Sequence, residues 1–348
     1  MRNRLAVLTA AIFAGVLSLT AAGASATAAT PSVGGYFSTD THGCGNVKLY
    51  VPNQNQFTAQ QLGFSRQSIP LRQNILNKMA GKQVHYLTSL DCKPGPTRHS
   101  LSSAPKPSTA KPAALGGSYN WSGYDVDQNT YAVTQSWIQP GLDDGNSGDL
   151  VDTSIWPGIG GEDGQPLVQD GTEIHGTCTG NGGCDYQHSP YFWLEAVPDD
   201  PTELMVVNLT LNVGDQVSAE TDFDYTTDTA NFFLCNDTTG YCVEGSQTLA
   251  NGETPGNTAE WIAERATFNG DQLTELDRWN GLQVEIDSAQ YLSGNVSGTG
   301  TAASGNPITL TTCDNQVMAE PGSVGTNANG PYFVDYWKSF GHTDPNPC

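Results

Sequence analysis

The chain has 348 residues, with 14 Lys and Arg against 36 Asp and Glu and a net charge of −22. That balance argues against a nucleic-acid partner, whose phosphates call for a basic surface. After the N-terminal apolar run Leu5 to Leu19, no stretch approaches the roughly 20 apolar residues of a membrane helix, so a membrane partner is not expected either.

In chain order, Arg2 and Arg4 precede the apolar run, and Ala24-Ser25-Ala26 follows it as a small-residue cleavage site; residues 1–26 read as a signal peptide of a secreted, extracellular protein. Residues 27–99 form a small, basic, partly helical segment. Within it Leu71 to Lys82 carries Ile75, Leu76 and Met79 at helical spacing. Residues 100–118 are rich in Pro, Ser and Ala, lack an apolar period and read as an exposed linker of the kind proteases cut. Charge divides at about the same place. Residues 1–111 hold eleven Lys and Arg against Asp40 and Asp91, a balance of +9, whereas residues 112–348 hold Arg265, Arg278 and Lys338 against 34 acids, a balance of −31. A basic front attached to a very acidic remainder suggests a precursor whose propeptide neutralises its own later domain.

From residue 119 to 348 short runs rich in Val, Ile, Thr, Tyr and Trp alternate with Gly, Asn and Asp clusters. Examples are Tyr131–Ile138, Tyr191–Val197, Leu204–Leu211, Asn231–Cys235, Ala259–Phe268 and Gly281–Ile286. The pattern is that of an all-β sandwich of two antiparallel sheets, and a monomer is expected. Eight cysteines in an exported chain read as disulfides rather than metal ligands. The sequence leaves their connectivity open, although locality favours Cys178 with Cys184 and Cys235 with Cys242. Cys44 and Cys92 share the basic segment, which leaves Cys313 with Cys348. No metal site is expected: His175 and His188 read as members of a glycine-rich loop without carboxylates to complete one.

Strand periodicity gives the candidate chemistry. In Thr258–Arg265 it places Glu260, Ile262 and Glu264 on one face and Trp261, Ala263 and Arg265 on the other. In Tyr191–Val197 it places Tyr191, Trp193 and Glu195 together. Carboxylates beside large aromatics are desolvated, which raises their pKa and suits them to proton transfer. Periodicity alone leaves open whether this face lines a cleft or is a solvated outer surface.

At these residues the chain resembles the glutamic peptidases, or eqolisins. Asn120-Trp121-Ser122-Gly123 is similar to the start of the mature family enzymes, and Trp156-Pro157-Gly158-Ile159-Gly160-Gly161 to their Trp-Val-Gly-Ile-Asp-Gly block. Leu167-Val168-Gln169-Asp170-Gly171 looks like the block that holds the family's catalytic glutamine. Trp193 to Pro198, the hairpin Asn236 to Gly240, and Ala259-Glu260-Trp261-Ile262-Ala263-Glu264 continue the series in order. The resemblance covers roughly residues 119–270. It implies a concanavalin- or jelly-roll-like sandwich and an acid endopeptidase without cofactor, activated from its precursor by acid. Glu264 would be the general acid/base, Gln169 the donor to the oxyanion, and Trp121, Trp156, Glu173, Trp193 and Glu195 would line the substrate cleft. Its partners would be protein or peptide substrates and its own propeptide.

The chain departs from the family at Gly160, where an Asp is usual and Glu162 or Asp163 stand nearby. It departs also at Leu194 and Ala196, which replace aromatics, and at Arg265 after the catalytic glutamate. Two other readings use the same fold: a glycoside hydrolase, for which Glu285-Ile286-Asp287 is the candidate strand, and a non-catalytic carbohydrate-binding sandwich. The peptidase reading requires Gln169 and Glu264 to converge on one site large enough for a water between them, and it fails if they sit on opposite sheet faces. It also predicts latency at neutral pH and self-processing below about pH 5, as carboxylates protonate.

Overall fold

Alternating apolar and polar residues give each strand one face for a shared core and one for something else, and here two sheets bury their apolar faces against each other. The computed structural model describes residues 35–52, 56–58, 70–79, 81–99, 117–142, 148–179, 183–186, 189–200, 202–250, 254–268, 272–279, 283–293 and 299–348. The expected signal peptide, residues 100–116 of the linker and His188 lie outside the described residues. All that is described falls within one unit, Ser32–Cys348.

The first sheet is built around Leu150–Gly160. On one side it pairs with Leu167–Cys178, which pairs with Tyr191–Val197 and then Leu204–Val206; on the other it pairs with Thr258–Glu264, followed by Trp121–Asp127. The second sheet runs from Gly330–Trp337 through Gln283–Ser293, Thr130–Ile138, Gln216–Asp224 and Thr229–Asn236 to Tyr241–Thr248. All these neighbours are antiparallel. Between the sheets lies the main core, with Ile155, Val168, Phe192, Leu194 and Trp261 from the first and Val133, Trp137, Phe232, Leu234 and Ile286 from the second. The all-β sandwich expected from the sequence is the observed architecture.

The basic segment is knitted into both sheets. Leu90–Pro94 extends the first sheet by pairing with Leu204–Val206, and Lys48–Pro52 extends the second at Tyr241–Thr248. Its helix, Pro70–Lys78, packs Ile75, Leu76 and Met79 against Phe233 and the Cys235–Cys242 pair. The helix stops short of Lys82 because the chain turns at Gly81, whose φ is +86°.

Four disulfides join Cys44 to Cys92, Cys178 to Cys184, Cys235 to Cys242 and Cys313 to Cys348. None links the basic segment to the later residues. Two expected strands are shorter than the sequence suggests. Leu204–Leu211 is a strand only over Leu204–Val206, and Ala259–Phe268 breaks after Glu264. The break follows from Arg265, whose buried guanidinium donates to the Thr274 and His342 carbonyls and pairs with Asp344 at 2.6 Å.

Candidate active site

The face of the first sheet that turns from the core is fixed by register. Ser154 lies opposite Glu173 on one neighbouring strand and Glu264 on the other, and Gly158 lies opposite Gln169 and Glu260. Gln169 in turn faces Glu195, Gly171 faces Trp193, Glu173 faces Tyr191, and Glu264 faces Trp121. Period two along Leu150–Gly160 adds Trp156. Glu264, Gln169, Trp121, Trp156, Glu173, Trp193 and Glu195 therefore share one face of one sheet. Glu285 and Asp287 stand on the second sheet, where both bond to Asn327.

Each carboxylate has a definite setting. Glu264 is fully buried; its Oε2 accepts the Trp156 indole N–H at 2.8 Å and its Oε1 accepts the Asn120 amide at 3.2 Å. Trp156 is itself braced edge-on by Trp121, with centroids 5.0 Å apart. Gln169 donates from Nε2 to Glu195 Oε2 at 3.0 Å, while Gln169 Oε1, Glu195 Oε1 and the Trp193 indole N–H are buried without a hydrogen-bond partner. Burial holds the Glu195 carboxyl well above the usual carboxylate range; the His99 charge opposes this, and the Glu203 and Glu264 charges add to it.

Into this face comes the end of the basic segment. Gly95 passes so close to Glu203 that a Cβ there would meet its Oε1 at 1.9 Å. The Thr97 hydroxyl lies 2.8 to 2.9 Å from the Glu173 and Glu203 carboxylates. His99 is completely buried and stacks on Trp193, with centroids 3.9 Å apart. Its Nδ1 lies 3.2 Å from Glu264 Oε2, and its Nε2 lies 3.0 Å from Glu203 Oε2 and 3.2 Å from Glu173 Oε2. Burial by itself would lower the imidazole pKa. The charge of Glu264 and hydrogen bonds to Glu173, Glu203 and Glu264 outweigh it, so His99 titrates well above its ordinary 6.5 and is an imidazolium at neutral pH.

Two of its partners form an asymmetric acid pair bridged by Tyr191, whose hydroxyl lies 2.6 Å from Glu173 and 2.9 Å from Glu203. Burial resists ionisation of Glu173, but hydrogen bonds to His175 and His99 hold it well below the usual range. Glu203, buried beside that charge, is pushed up to about 7.

The sequence pattern assigns His99, Glu203 and Asn120 no place here. Periodicity gives no signal for His99 or Glu203, which lie outside the regular strands. Asn120 was named as part of a motif and not as a partner of Glu264.

The reading of His175 needs correction. It lies within the strand Leu167–Cys178 and not in a loop, and period two puts it beside Glu173, with its Nδ1 3.3 Å from Glu173 Oε1 and Asp152 opposite in register. Asp152, Glu173 and His175 thus have ligand atoms within 4.8 Å of one another, as do His99, Glu173 and Glu203. In the second group those atoms already bond to His99, Thr97 and Tyr191. Gly160 also has a local reason: at φ +92° a Cβ would meet the Pro166 carbonyl at 2.2 Å. The carboxylate buried at that turn is Glu260, whose two oxygens have no hydrogen-bond partner and which is held well above its usual range chiefly by burial.

A model of the Peptidase A4 family matches residues 119–327. Among solved structures, two of scytalido-glutamic peptidase with transition-state-analogue inhibitors are similar at 16% and 18% identity, with TM-scores of 0.49 and 0.48. A structure of SCP-B, an eqolisin-family peptidase in complex with the tripeptide Ala-Ile-His, is similar at 15% identity and a TM-score of 0.46. Each comparison covers 65% of this chain and 100% of the other. No curated protein matches the sequence.

Proposed function

Because the chain belongs to the Peptidase A4 family and is thus a glutamic endopeptidase, we propose that Glu264 and Gln169 are its catalytic pair, in a secreted enzyme held latent by its own basic segment. The ionised Glu264 carboxylate takes a proton from water as the water oxygen bonds to the scissile carbonyl carbon. The Gln169 amide donates to the oxyanion so formed, a role that glutamine can fill at any pH. Glu264 then passes the proton to the amine nitrogen as the C–N bond breaks, which returns the carboxylate to its starting form. No step asks for a metal or a covalent nucleophile.

The observation that carries this reading is the setting of Glu264: buried, fixed by Trp156 and Asn120, and on the same sheet face as Gln169. Trp121, Trp156, Trp193, Glu173 and Glu195 frame the cleft around the pair. Latency is supported by His99, which fills the space beside Glu264 that a substrate would need. Export is supported by the signal-like N-terminus and four disulfides. No helix among the described residues is long and apolar enough to cross a membrane.

The test is digestion of a denatured protein by the purified chain across pH 2–5, with an aspartic-protease inhibitor in one arm and a chelator in another. Hydrolysis insensitive to both is expected. Loss of activity with either one overturns the proposed chemistry.

A further inference from the structure

The space that the His99 ring fills has a chemistry of its own, which persists once the basic segment is displaced. One wall is the Trp193 indole face, and its buried N–H has no partner. The other boundary is the acid pair Glu173 and Glu203, fully buried and bridged by Tyr191. A cation from a distant part of the chain is seated there, with hydrogen-bond partners at both ring nitrogens. Vacating the pocket takes from the buried Glu173 carboxylate one of the partners that hold it ionised, an unfavourable change that a new cation reverses. The same ring also touches Glu264, so a side chain in this pocket belongs to a residue beside the bond being cut.

We propose that this pocket is a subsite for a cationic side chain of the peptide substrate, His, Lys or Arg, and that Glu173 sets the preference. The inference rests on the peptidase reading above. His99 then occupies the precursor as a substrate side chain would. His99 Nε2 lies within hydrogen-bond reach of both acids; Glu173 is the one held ionised in mild acid, whereas Glu203, pushed up to about 7, is neutral there and offers a hydrogen-bond acceptor only. The flat Trp193 face favours planar cations, imidazolium and guanidinium, over an ammonium.

Two measurements test this. In the full chain carrying His99→Gly, 4-methylimidazolium and methylguanidinium are titrated against toluene, a neutral ring of similar size, with tryptophan fluorescence as the readout. The cations are expected to bind about 10- to 100-fold more tightly, the range for a charge-assisted hydrogen bond. Adding Glu173→Gln should reduce the preference to less than about 3-fold. Equal binding of cations and toluene overturns the proposal by itself, even where the Glu173 variant fails to fold. An unchanged preference in a folded Glu173→Gln chain overturns it too.

Cleavage of a peptide library by the acid-treated wild-type chain, mapped by mass spectrometry, should show His, Lys and Arg enriched next to the cut. Hydrolysis without that enrichment defeats the subsite and leaves the catalytic pair standing. Cation binding with no hydrolysis of any peptide defeats the catalytic pair and, with it, the subsite as a determinant of cleavage.

Discussion

His99 Nδ1 lies 3.2 Å from Glu264 Oε2, the same oxygen that accepts the Trp156 indole N–H at 2.8 Å. The two residues are 165 positions apart, one closing the basic segment and the other ending a strand of the acidic sheet. The contact puts the opposed charges of the two parts of the chain at one point. The +9 segment does not merely coat a −31 domain; it inserts one imidazolium among Glu173, Glu203 and Glu264.

Removing that imidazolium should therefore separate latency from cleavage. The His99→Ala chain is expected to hydrolyse a small peptide before any cut in residues 100–116, at least about 10-fold faster than uncut wild type, on the scale of one lost charge-assisted contact. It should also unfold at a lower temperature at pH 7, because Glu173 loses a buried partner. Peptide hydrolysis at identical rates by the two uncut chains would mean that His99 does not block the site.

The pH at which the segment lets go follows from the signs of the shifts. His99 has a raised pKa, so its stabilising contribution is complete below 6.5 and is lost only as pH rises through the raised value. Glu173 has a depressed pKa, so its contribution is present above 4.5 and is lost as pH falls through the depressed value. Glu203, raised to about 7, is already protonated in mild acid and contributes no charge to the contact there. Release by acid is thus expected below the ordinary carboxylate range, lower than the pH of about 5 that charge counting suggests. Limited proteolysis of the linker as a function of pH should show this, and Glu173→Gln should move the threshold upward. A threshold near pH 5 that Glu173→Gln leaves in place would contradict it.

Much of this was legible in the sequence because it depends on period two. Glu260 with Glu264, Trp193 with Glu195, the opposite face for Trp261 and Ala263, and the hairpin at Gly240 follow from alternation and turn chemistry, whereas the pairing of Gln169 with Glu264 comes only from the family resemblance. What was not legible is long-range. Nothing local tells that His99, at the edge of a linker, reaches a strand near residue 264, or that Glu203 reaches the same pocket from a short connection. His175 was misplaced for a related reason: the surrounding glycines suggested a loop, whereas pairing with Leu150–Gly160 keeps the chain extended.

Gln169→Ala is expected to lower kcat by about 10²- to 10³-fold with little change in KM, the usual scale for one oxyanion donor. Steady-state kinetics on the acid-activated chain decide this. A change confined to KM would make Gln169 a binding residue.

A structural prediction concerns Arg265. Its guanidinium is fully buried, pairs with Asp344 at 2.6 Å and donates to several backbone carbonyls. Burial lowers its pKa and Asp344 opposes the shift. Breaking the pair with Asp344→Ala should destabilise the chain by about 3–5 kcal/mol, since it leaves a buried charge uncompensated. Urea unfolding of the two chains measures this, and a midpoint unchanged within error would show that the carbonyls alone suffice.

The most direct test of the central claim is Glu264→Gln in the full chain, compared with wild type at acid pH after matched circular dichroism confirms the fold. The substitution keeps the shape of the side chain and removes its ability to exchange a proton. Peptide hydrolysis is expected to fall by about 10²- to 10⁴-fold, the range for a general acid/base, and the precursor is expected to stay uncut between residues 100 and 116. A folded Glu264→Gln chain that hydrolyses peptide at near wild-type rate, or that matures on its own in acid, would contradict the account.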